Sequence, residues 1–221
     1  MAIPLLETVD LRGRVLTADA LHTQRALAEY LVARGAHYHF TVKGNQPTLE
    51  RDIATLFTTQ IPPDHVDHHA AHGRIETRRV WCSTALNDYL DFPHVGQVFR
   101  IEREVIDKKS GTVSCESALG ITSQHPDQAS AQRVLAINRG HWRIETLHYL
   151  LDWNYDQDRS RIRSGYAPEN ITRLRRFAIG VLKQFQKPRQ SIAEMMRALC
   201  LRPRLVFDYL RMTQNSAGLA R

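Results

Sequence analysis

The sequence has few cysteines, no long apolar run and no secretion signal. Cys82, Cys115 and Cys200 are odd in number, far apart and outside any Cys-x-x-Cys spacing, which argues against disulfides and a structural zinc knuckle. No apolar run reaches the roughly 18 residues of a membrane span. The N-terminus, MAIPLLETVDLRGRV, lacks a basic segment followed by an apolar run and a cleavage site. We therefore expect a cytoplasmic protein with no membrane partner.

Acidic residues are scarce in one stretch of the C-terminal part. Between residues 159 and 204, twelve basic residues are accompanied by only Glu169 and Glu194, a net charge of +10 in a chain that totals +7. The basic residues are Arg159, Arg161, Arg163, Arg173, Arg175, Arg176, Lys183, Lys187, Arg189, Arg197, Arg202 and Arg204. Such a block is typical of a polyanion partner. A solvated helical face is the alternative.

The N-terminal part follows a strand–helix–strand pattern. The chain has 221 residues, 43% of them hydrophobic, which allows one or two domains with a core. Residues 13–20 predict a short strand, residues 21–34 a helix and His37–Val42 a second strand. This pattern predicts an α/β fold with a βαβ unit and parallel pairing. A second helix is predicted over residues 48–57.

The pattern changes in the middle of the chain. Residues 58–73 are predicted to form a loop, although His65, His68, His69 and His72 have helical spacing that could bind a metal adventitiously. Residues 74–123 alternate or are rich in β-branched residues, which predicts an antiparallel β-rich insertion. From Asp127, the expected N-cap, the periodicity is helical. Another amphipathic helix and a short helical tail follow.

One polar stripe lies on the predicted helix that contains GHWRIETLHYLLD. His141, Glu145, His148 and Asp152 have the spacing i, i+4, i+7 and i+11, which places them on one face. A functional site and the exposed face of an amphipathic helix both fit this spacing. Glu145 and His148 also match the Glu-x-x-His of di-metal bundles, but such sites need a second copy, which the sequence lacks.

Asp19 is the other candidate acid. It follows a predicted buried strand and precedes a helix, where open α/β sheets build their sites. A metal carboxylate and a helix N-cap are both compatible with this position.

Further polar residues are candidates for contacts with DNA. Lys43, Asn45 and Gln46 follow the second strand, in a turn suited to phosphates or base edges. Arg74 and Arg78 flank Glu76 on one strand face, as a strip facing DNA or as a cross-strand charge ladder.

Taken together and in this order, six stretches resemble the DDE transposases of bacterial insertion sequences, in the ISAs-type branch that includes the H-repeat-associated proteins. They are RVLTADALHTQ, GAHYHFTVKGNQPTL, HGRIETRRV, RGHWRIETLHYLLD, DRSRIRSGYAPENITRLRRFAIGVL and SIAEMMRALCLRPRLVFDYL. They extend over nearly the whole chain, from about residue 5 to residue 210.

The resemblance implies a partial RNase H-like core and metal-dependent cleavage and transfer of DNA strands at insertion-sequence ends. Asp19 matches the second of three acids and Glu145 the third; together they would hold Mg²⁺ or Mn²⁺. His141, in place of an arginine, would be a phosphate or metal-shell neighbour. Arg159, Arg161 and Arg163 belong to the DNA-contacting set. The resemblance divides the chain into a core part (1–73), an insertion (74–123), a catalytic-helix region (124–187) and a tail (188–221).

The chain departs from the family pattern in two ways. The signature Tyr-x-x-Arg-x-x-x-Glu-x-x-x-x-x-x-Lys reads Asn138, His141, Glu145 and Asp152 here, and no acid matches the first aspartate. We therefore expect the C-terminal part of a transposase, inactive alone, which acts as a homodimer or with a complementing N-terminal polypeptide. The alternative is a non-catalytic, DNA-binding regulatory fragment.

Overall fold

The computed structural model describes residues 3–58 and 61–213, with only the backbone at position 143. The chain divides into two compact units, one ending at Trp142 and the other beginning at Arg143.

The N-terminal unit is built on a six-stranded mixed sheet. Its strands are β1 (Val15–Ala18), β2 (His37–Val42), β3 (His65–Ala71), β4 (Arg74–Ser83), β5 (Gln97–Asp107) and β6 (Val113–Thr122). The order across the sheet is β1-β2-β6-β5-β4-β3. β1 and β2 pair in parallel, which confirms the predicted βαβ unit, and the other neighbours pair antiparallel. The predicted β-rich insertion therefore continues the same sheet as the βαβ unit.

Helices cover both faces of this sheet. They are α1 (Ile3–Leu6), a 3₁₀ turn (Ala20–His22), α2 (Arg25–Ala33), α3 (Pro47–Leu56) and α4 (Ala131–His141). On one face Leu31 of α2 and Ile53 of α3 belong to a core with Phe40 of β2, and all three are fully buried. On the other face Val134 of α4 packs with Phe99 of β5. Adjacent residues of β5, Val98 and Phe99, thus belong to two separate cores on opposite faces of the sheet.

Two predictions for this unit were wrong in detail. The segment read as a loop contains β3, which continues into β4 through the two-residue turn His72-Gly73. Both residues have positive φ, 51° and 75°, which a hairpin turn of this length favours. The helix predicted over residues 21–34 is split into the 3₁₀ turn and α2.

The C-terminal unit is helical. It comprises α5 (Arg143–Tyr149), a π-helical turn (Leu150–Asn154), α6 (Ala167–Phe185), α7 (Ile192–Leu201) and α8 (Arg204–Tyr209). Leu151, Ile179 of α6 and Met195 of α7 form its core and are almost fully buried. In the part of the chain that the structure describes, no helix has the length and apolar character needed to cross a bilayer.

The single long helix predicted from Asp127 was also wrong. α4 begins after the N-cap Ser130, whose hydroxyl accepts from the Arg133 amide, and it ends at His141. Trp142 interrupts the helix before α5, and the π turn then takes up an additional residue per turn. The regular helical spacing from Glu145 to Asp152 is therefore not maintained within the C-terminal unit.

Candidate active site

Asp19 lies immediately after β1, at the carboxyl end of a strand in the parallel part of the sheet. The residue is exposed. Its Oδ1 accepts a hydrogen bond of 2.8 Å from the Ala20 amide and caps the 3₁₀ turn. The cap therefore exists, although it serves this short turn and not α2. Capping occupies one carboxylate oxygen, and no donor to the other lies among the described residues.

The turn that carries Asp19 is tied to the end of β2 by three side chains. Asn45 Nδ2 donates to the Ala20 carbonyl at 2.5 Å, and Gln46 Nε2 donates to the Thr23 carbonyl at 3.0 Å. Thr23, which is completely buried, donates its hydroxyl to the Thr41 carbonyl at 2.6 Å. The two neighbouring turns are thus joined by direct hydrogen bonds.

This arrangement gives Asn45 and Gln46 an intramolecular role that the sequence did not reveal. Their amide donors are directed at protein carbonyls, although Asn45 is itself exposed. Lys43 of the same turn is also exposed and is available to a phosphate. A DNA contact by any of the three stays a prediction.

A small polar column lies on one face of the sheet. Thr17 of β1 is the register partner of His39 of β2, and its hydroxyl lies 3.1 Å from Nδ1 of His141 in α4. His141, a predicted site residue, thus contacts the strand that leads to Asp19. Because a threonine hydroxyl both donates and accepts, it suits either tautomer of the imidazole.

His39 is the residue of this column that sequence reasoning missed. It is 2% exposed, stacks on Phe99 with ring centroids 4.4 Å apart, and neither ring nitrogen has a hydrogen-bond partner among the described residues. Burial, with the charge of His141 as the second cause, lowers the pKa of His39 to about 3. The alternation in HYHFTV predicts the face that His39 occupies, but not its isolation from polar partners.

Glu145, the second candidate acid, belongs to the C-terminal unit. It lies in the first turn of α5, where a carboxylate interacts favourably with the helix dipole. Its side chain is exposed, as are those of His148 and Asp152. A carboxylate in this setting is accessible to a metal ion or to solvent.

The predicted strip of charges on β4 is a ladder of ion pairs. Arg78 Nη2 lies 2.7 Å from Glu76 Oε1, and both side chains are largely buried, at 15% and 16% exposure. Arg103 of β5 also binds Glu76 and reaches Glu116 of β6 at 3.3 Å. Burial would raise the pKa of Glu76, but its hydrogen bonds and charge interactions with the two arginines outweigh this and lower it.

These pairs favour the ladder interpretation for Arg78. Burial, opposed by the charge of Glu76, lowers the pKa of Arg78. Arg74, at the start of β4, is exposed. A DNA contact by either arginine stays a prediction.

The basic block of the C-terminal unit is mostly exposed. Arg159, Arg161 and Arg163 lie in the irregular segment before α6 and are accessible to solvent. Arg159 is 3.6 Å from Asp156, both on the surface. On α6, Arg173, Arg176 and Lys183 are exposed at spacings of three and seven residues, which places them along one side of the helix. We call these three residues the α6 strip.

The four histidines around β3 do not form a site. His69 pairs with Glu76 and His68 with Thr77, so these adjacent histidines point to opposite faces of the sheet. Within residues 3–58 and 61–213, no three His, Cys, Asp or Glu side chains are grouped so that they could hold a metal ion.

Comparison with known proteins agrees with the fold. The family model described as "Transposase DDE domain" matches residues 1–179. The chain is 29% identical over 214 residues to the "H repeat-associated putative transposase YhhI" of Escherichia coli strain K12, which covers 89% of this chain and 54% of that protein. It is 36% identical over 137 residues to the "Uncharacterized protein in dhlA 3'region" of Xanthobacter autotrophicus. This alignment covers 57% of this chain and 45% of that protein. The chain thus spans about half the length of these relatives, and the extent of the family match shows that it belongs to the DDE transposase family.

Proposed function

We propose that this chain contributes to metal-dependent cleavage and transfer of DNA strands, as part of an RNase H-like catalytic core. The observation that carries the proposal is the exposed carboxylate of Asp19 at the carboxyl end of β1. In open α/β sheets, this edge is where binding and catalytic groups collect. The α/β sheet with parallel β1 and β2 supports the same architecture.

The two acids suit Mg²⁺ or Mn²⁺ in their chemistry. Carboxylate oxygens are the protein ligands that these hard ions prefer, and both Asp19 and Glu145 are exposed. When bound, such ions activate the attacking oxygen and stabilise the leaving oxygen at a phosphodiester. The Ala20 amide fixes one oxygen of Asp19, so that the carboxylate has a defined direction before a metal arrives.

Two carboxylates supply few of the ligands that two ions need, because each Mg²⁺ takes about six oxygens. We therefore expect at most weak cleavage by this chain alone, and stronger cleavage when a complementing polypeptide or a second copy supplies a third carboxylate. Insertion-sequence ends are the proposed substrate of the assembled enzyme.

The decisive experiment separates capping from metal binding at Asp19. Asp19→Asn keeps an acceptor oxygen for the Ala20 amide, since asparagine caps as well as aspartate, but it removes the charge. Asp19→Ala removes both. Nicking of supercoiled plasmid with Mn²⁺ would be measured for the wild type, both Asp19 variants and Glu145→Gln. Glu194→Gln is the matched control, because Glu194 is also an exposed acid in the first turn of a helix.

A metal role predicts that Asp19→Asn, Asp19→Ala and Glu145→Gln all abolish nicking while the control retains it. A purely structural Asp19 predicts that Asp19→Asn nicks as well as the wild type, and that result would overturn the assignment. Nicking that survives in every variant would show a contaminating nuclease or a different active site.

Binding of DNA without cleavage is a second candidate, favoured by the α6 strip. Three cations on one side of a helix can neutralise about three phosphates. Each neutralised phosphate contributes about −0.9 to the slope of log K for DNA binding against log[salt]. Replacing Arg173, Arg176 and Lys183 by alanine should therefore make this slope shallower by about 2.7. The control is the triple alanine variant of three exposed cations in the other unit, Arg12, Arg34 and Lys109.

Wild-type binding with the predicted slope and no nicking under any metal would favour the regulatory role. Equal slopes for the two triple variants would refute the α6 strip as the DNA-binding surface.

A further inference from the structure

We infer that Asn45 and Gln46 are positioning residues that hold the Asp19 turn in the geometry required of a metal ligand. The inference rests on the proposed function, because it assigns these two residues to the site that Asp19 would form. It differs from a direct DNA contact, since the groups that matter are the amide donors already directed at protein carbonyls.

The turn after β1 has little stability of its own. β1 is four residues long and lies at one edge of the sheet order. It continues into a single 3₁₀ turn, closed by the bonds from the His22 amide to the Asp19 carbonyl and from the Thr23 amide to the Ala20 carbonyl. A 3₁₀ turn this short has poor hydrogen-bond geometry and does not persist without tertiary support.

The end of β2 supplies that support at both ends of the turn. Asn45 Nδ2 binds the Ala20 carbonyl, one residue after Asp19, and Gln46 Nε2 binds the Thr23 carbonyl at the other end. Thr23 in turn bonds to Thr41, the penultimate residue of β2. We call the two amide contacts the amide clamp.

The turn that carries the two clamp residues is itself held by a backbone hydrogen bond and by the start of α3. The Gln46 amide donates to the Lys43 carbonyl at 2.8 Å, which closes the turn, and Pro47 begins α3 directly afterwards. Pro at the first helical position fixes the backbone at this junction. Asn45 and Gln46 are thus presented by a short turn between a buried strand and a helix, which restricts where their side chains can reach.

The position of Ala20 explains why the clamp acts on Asp19. The Ala20 amide fixes Asp19 Oδ1, and the Ala20 carbonyl is held by Asn45. The two groups lie on adjacent peptide planes that share the Ala20 Cα, so holding the carbonyl restricts the position of the amide that orients the carboxylate. Metal ligands tolerate displacements of only about 0.5 Å from productive geometry. Partners that orient a ligand typically contribute about 10–100-fold in metal affinity.

The test uses the full chain labelled with ¹⁵N and compares the wild type with the Asn45→Ala/Gln46→Ala double variant. Mn²⁺ bound at Asp19 broadens the amide signal of Ala20, and the Mn²⁺ concentration at half-broadening reports the affinity. Amide hydrogen exchange at His22 and Thr23 reports the order of the turn without any metal. The amide signal of Phe40 in β2 shows that each variant is folded.

Two control variants keep the readout specific. Asp19→Asn should abolish the broadening at Ala20 while keeping the cap. Lys43→Ala removes an exposed cation from the same turn without touching the clamp. It should leave Mn²⁺ affinity and exchange unchanged, and any effect it has should appear in DNA binding alone.

The clamp predicts that the double variant binds Mn²⁺ about 10–100-fold more weakly and exchanges the His22 and Thr23 amides faster, with Phe40 unchanged. Equal Mn²⁺ affinity and equal exchange in the double variant and the wild type would overturn the clamp and leave the proposed function standing. Absence of broadening at Ala20 in the wild type would instead overturn Asp19 as a metal ligand. Faster exchange alone would then support the clamp only as a device that orders the turn.

Discussion

Acidification should destabilise the N-terminal unit through the single buried imidazole of His39. The ring is almost completely buried, its nitrogens have no hydrogen-bond partner among the described residues, and burial lowers its pKa to about 3 from an ordinary value of 6.5. Above pH 6.5, His39 is neutral in both the folded and unfolded chains, so it adds no pH dependence. Between pH 6.5 and about 3, His39 is protonated in the unfolded chain but remains neutral in the folded chain.

The size of the effect follows from linkage. Each pH unit within that window removes about 1.4 kcal/mol from the free energy of unfolding. Lowering the pH from 7.5 to 5.0 should therefore cost roughly 2 kcal/mol through His39 alone. Such a loss is a large fraction of the 5–15 kcal/mol by which a typical domain is stable.

His39→Leu removes the titrating group at similar volume. At pH 7.5 the variant loses the stack on Phe99, worth about 0.5–1.5 kcal/mol, but it no longer buries two unpaired nitrogens, which cost about 1–3 kcal/mol each. We expect it to be at least as stable as the wild type at pH 7.5 and clearly more stable at pH 5.0.

The assay is urea unfolding at pH 7.5, 6.5, 5.5 and 5.0, followed by the indole N–H signal of Trp81. This group donates to the Ile61 carbonyl at 2.7 Å and therefore reports on the N-terminal unit alone. His125→Leu, which removes an exposed imidazole, is the matched control. Equal losses of stability on acidification in the wild type and in His39→Leu would refute the reasoning.

Three substitutions test the packing and the charge ladder. In Gly120→Ala the new Cβ would lie 2.1 Å from Phe99 Cζ and 2.6 Å from the Phe40 carbonyl oxygen. We expect thermal unfolding to show that Gly120→Ala lowers the free energy of unfolding by about 3 kcal/mol or more. Gly140→Ala, whose new Cβ would have nothing within 4 Å, should raise it by about 0.5–1 kcal/mol. Equal stability of the two variants would contradict this packing. Leu151→Ala should cost about 2–5 kcal/mol in the C-terminal unit, measured by urea unfolding followed by the indole N–H signal of Trp153. A cost below about 1 kcal/mol would count against burial there. Arg78→Ala should cost roughly 1–3 kcal/mol, between the values for surface and buried ion pairs, and should leave the salt slope of DNA binding unchanged; a slope shallower by about one would instead identify Arg78 as a phosphate contact.

Some elements were predictable because their cause is local. The apolar run VLTA followed by Asp19 predicted a strand that ends at an acid, and the structure places β1 and Asp19 there. The helical pattern before Gly35 and the β-branched pattern after it predicted the βαβ unit. The antiparallel strands after residue 74 followed from alternation and from turn signals.

Other features depend on residues far apart in the chain. Arg78 was compatible with a DNA-facing strip or a ladder until Arg103, 25 residues later, was placed on the neighbouring strand. The periodicity from Asp127 onwards runs through Trp142 without a sign of the interruption there. The amide clamp joins residues more than 20 positions apart, and no local pattern indicates that the amides of Asn45 and Gln46 bind the Ala20 and Thr23 carbonyls.

By itself the sequence determined the α/β character, the acid at the end of the first strand, the basic C-terminal block and the likeness to DDE transposases. These properties are carried by short periodicities and by motifs, which need no knowledge of distant neighbours. Only the tertiary structure reveals that the His39 nitrogens have no hydrogen-bond partner among the described residues, that Arg78 is paired, and that Asn45 and Gln46 bind carbonyls of the Asp19 turn. A side chain's partners are set by strand order and register across the sheet, and these depend on the packing of the whole unit.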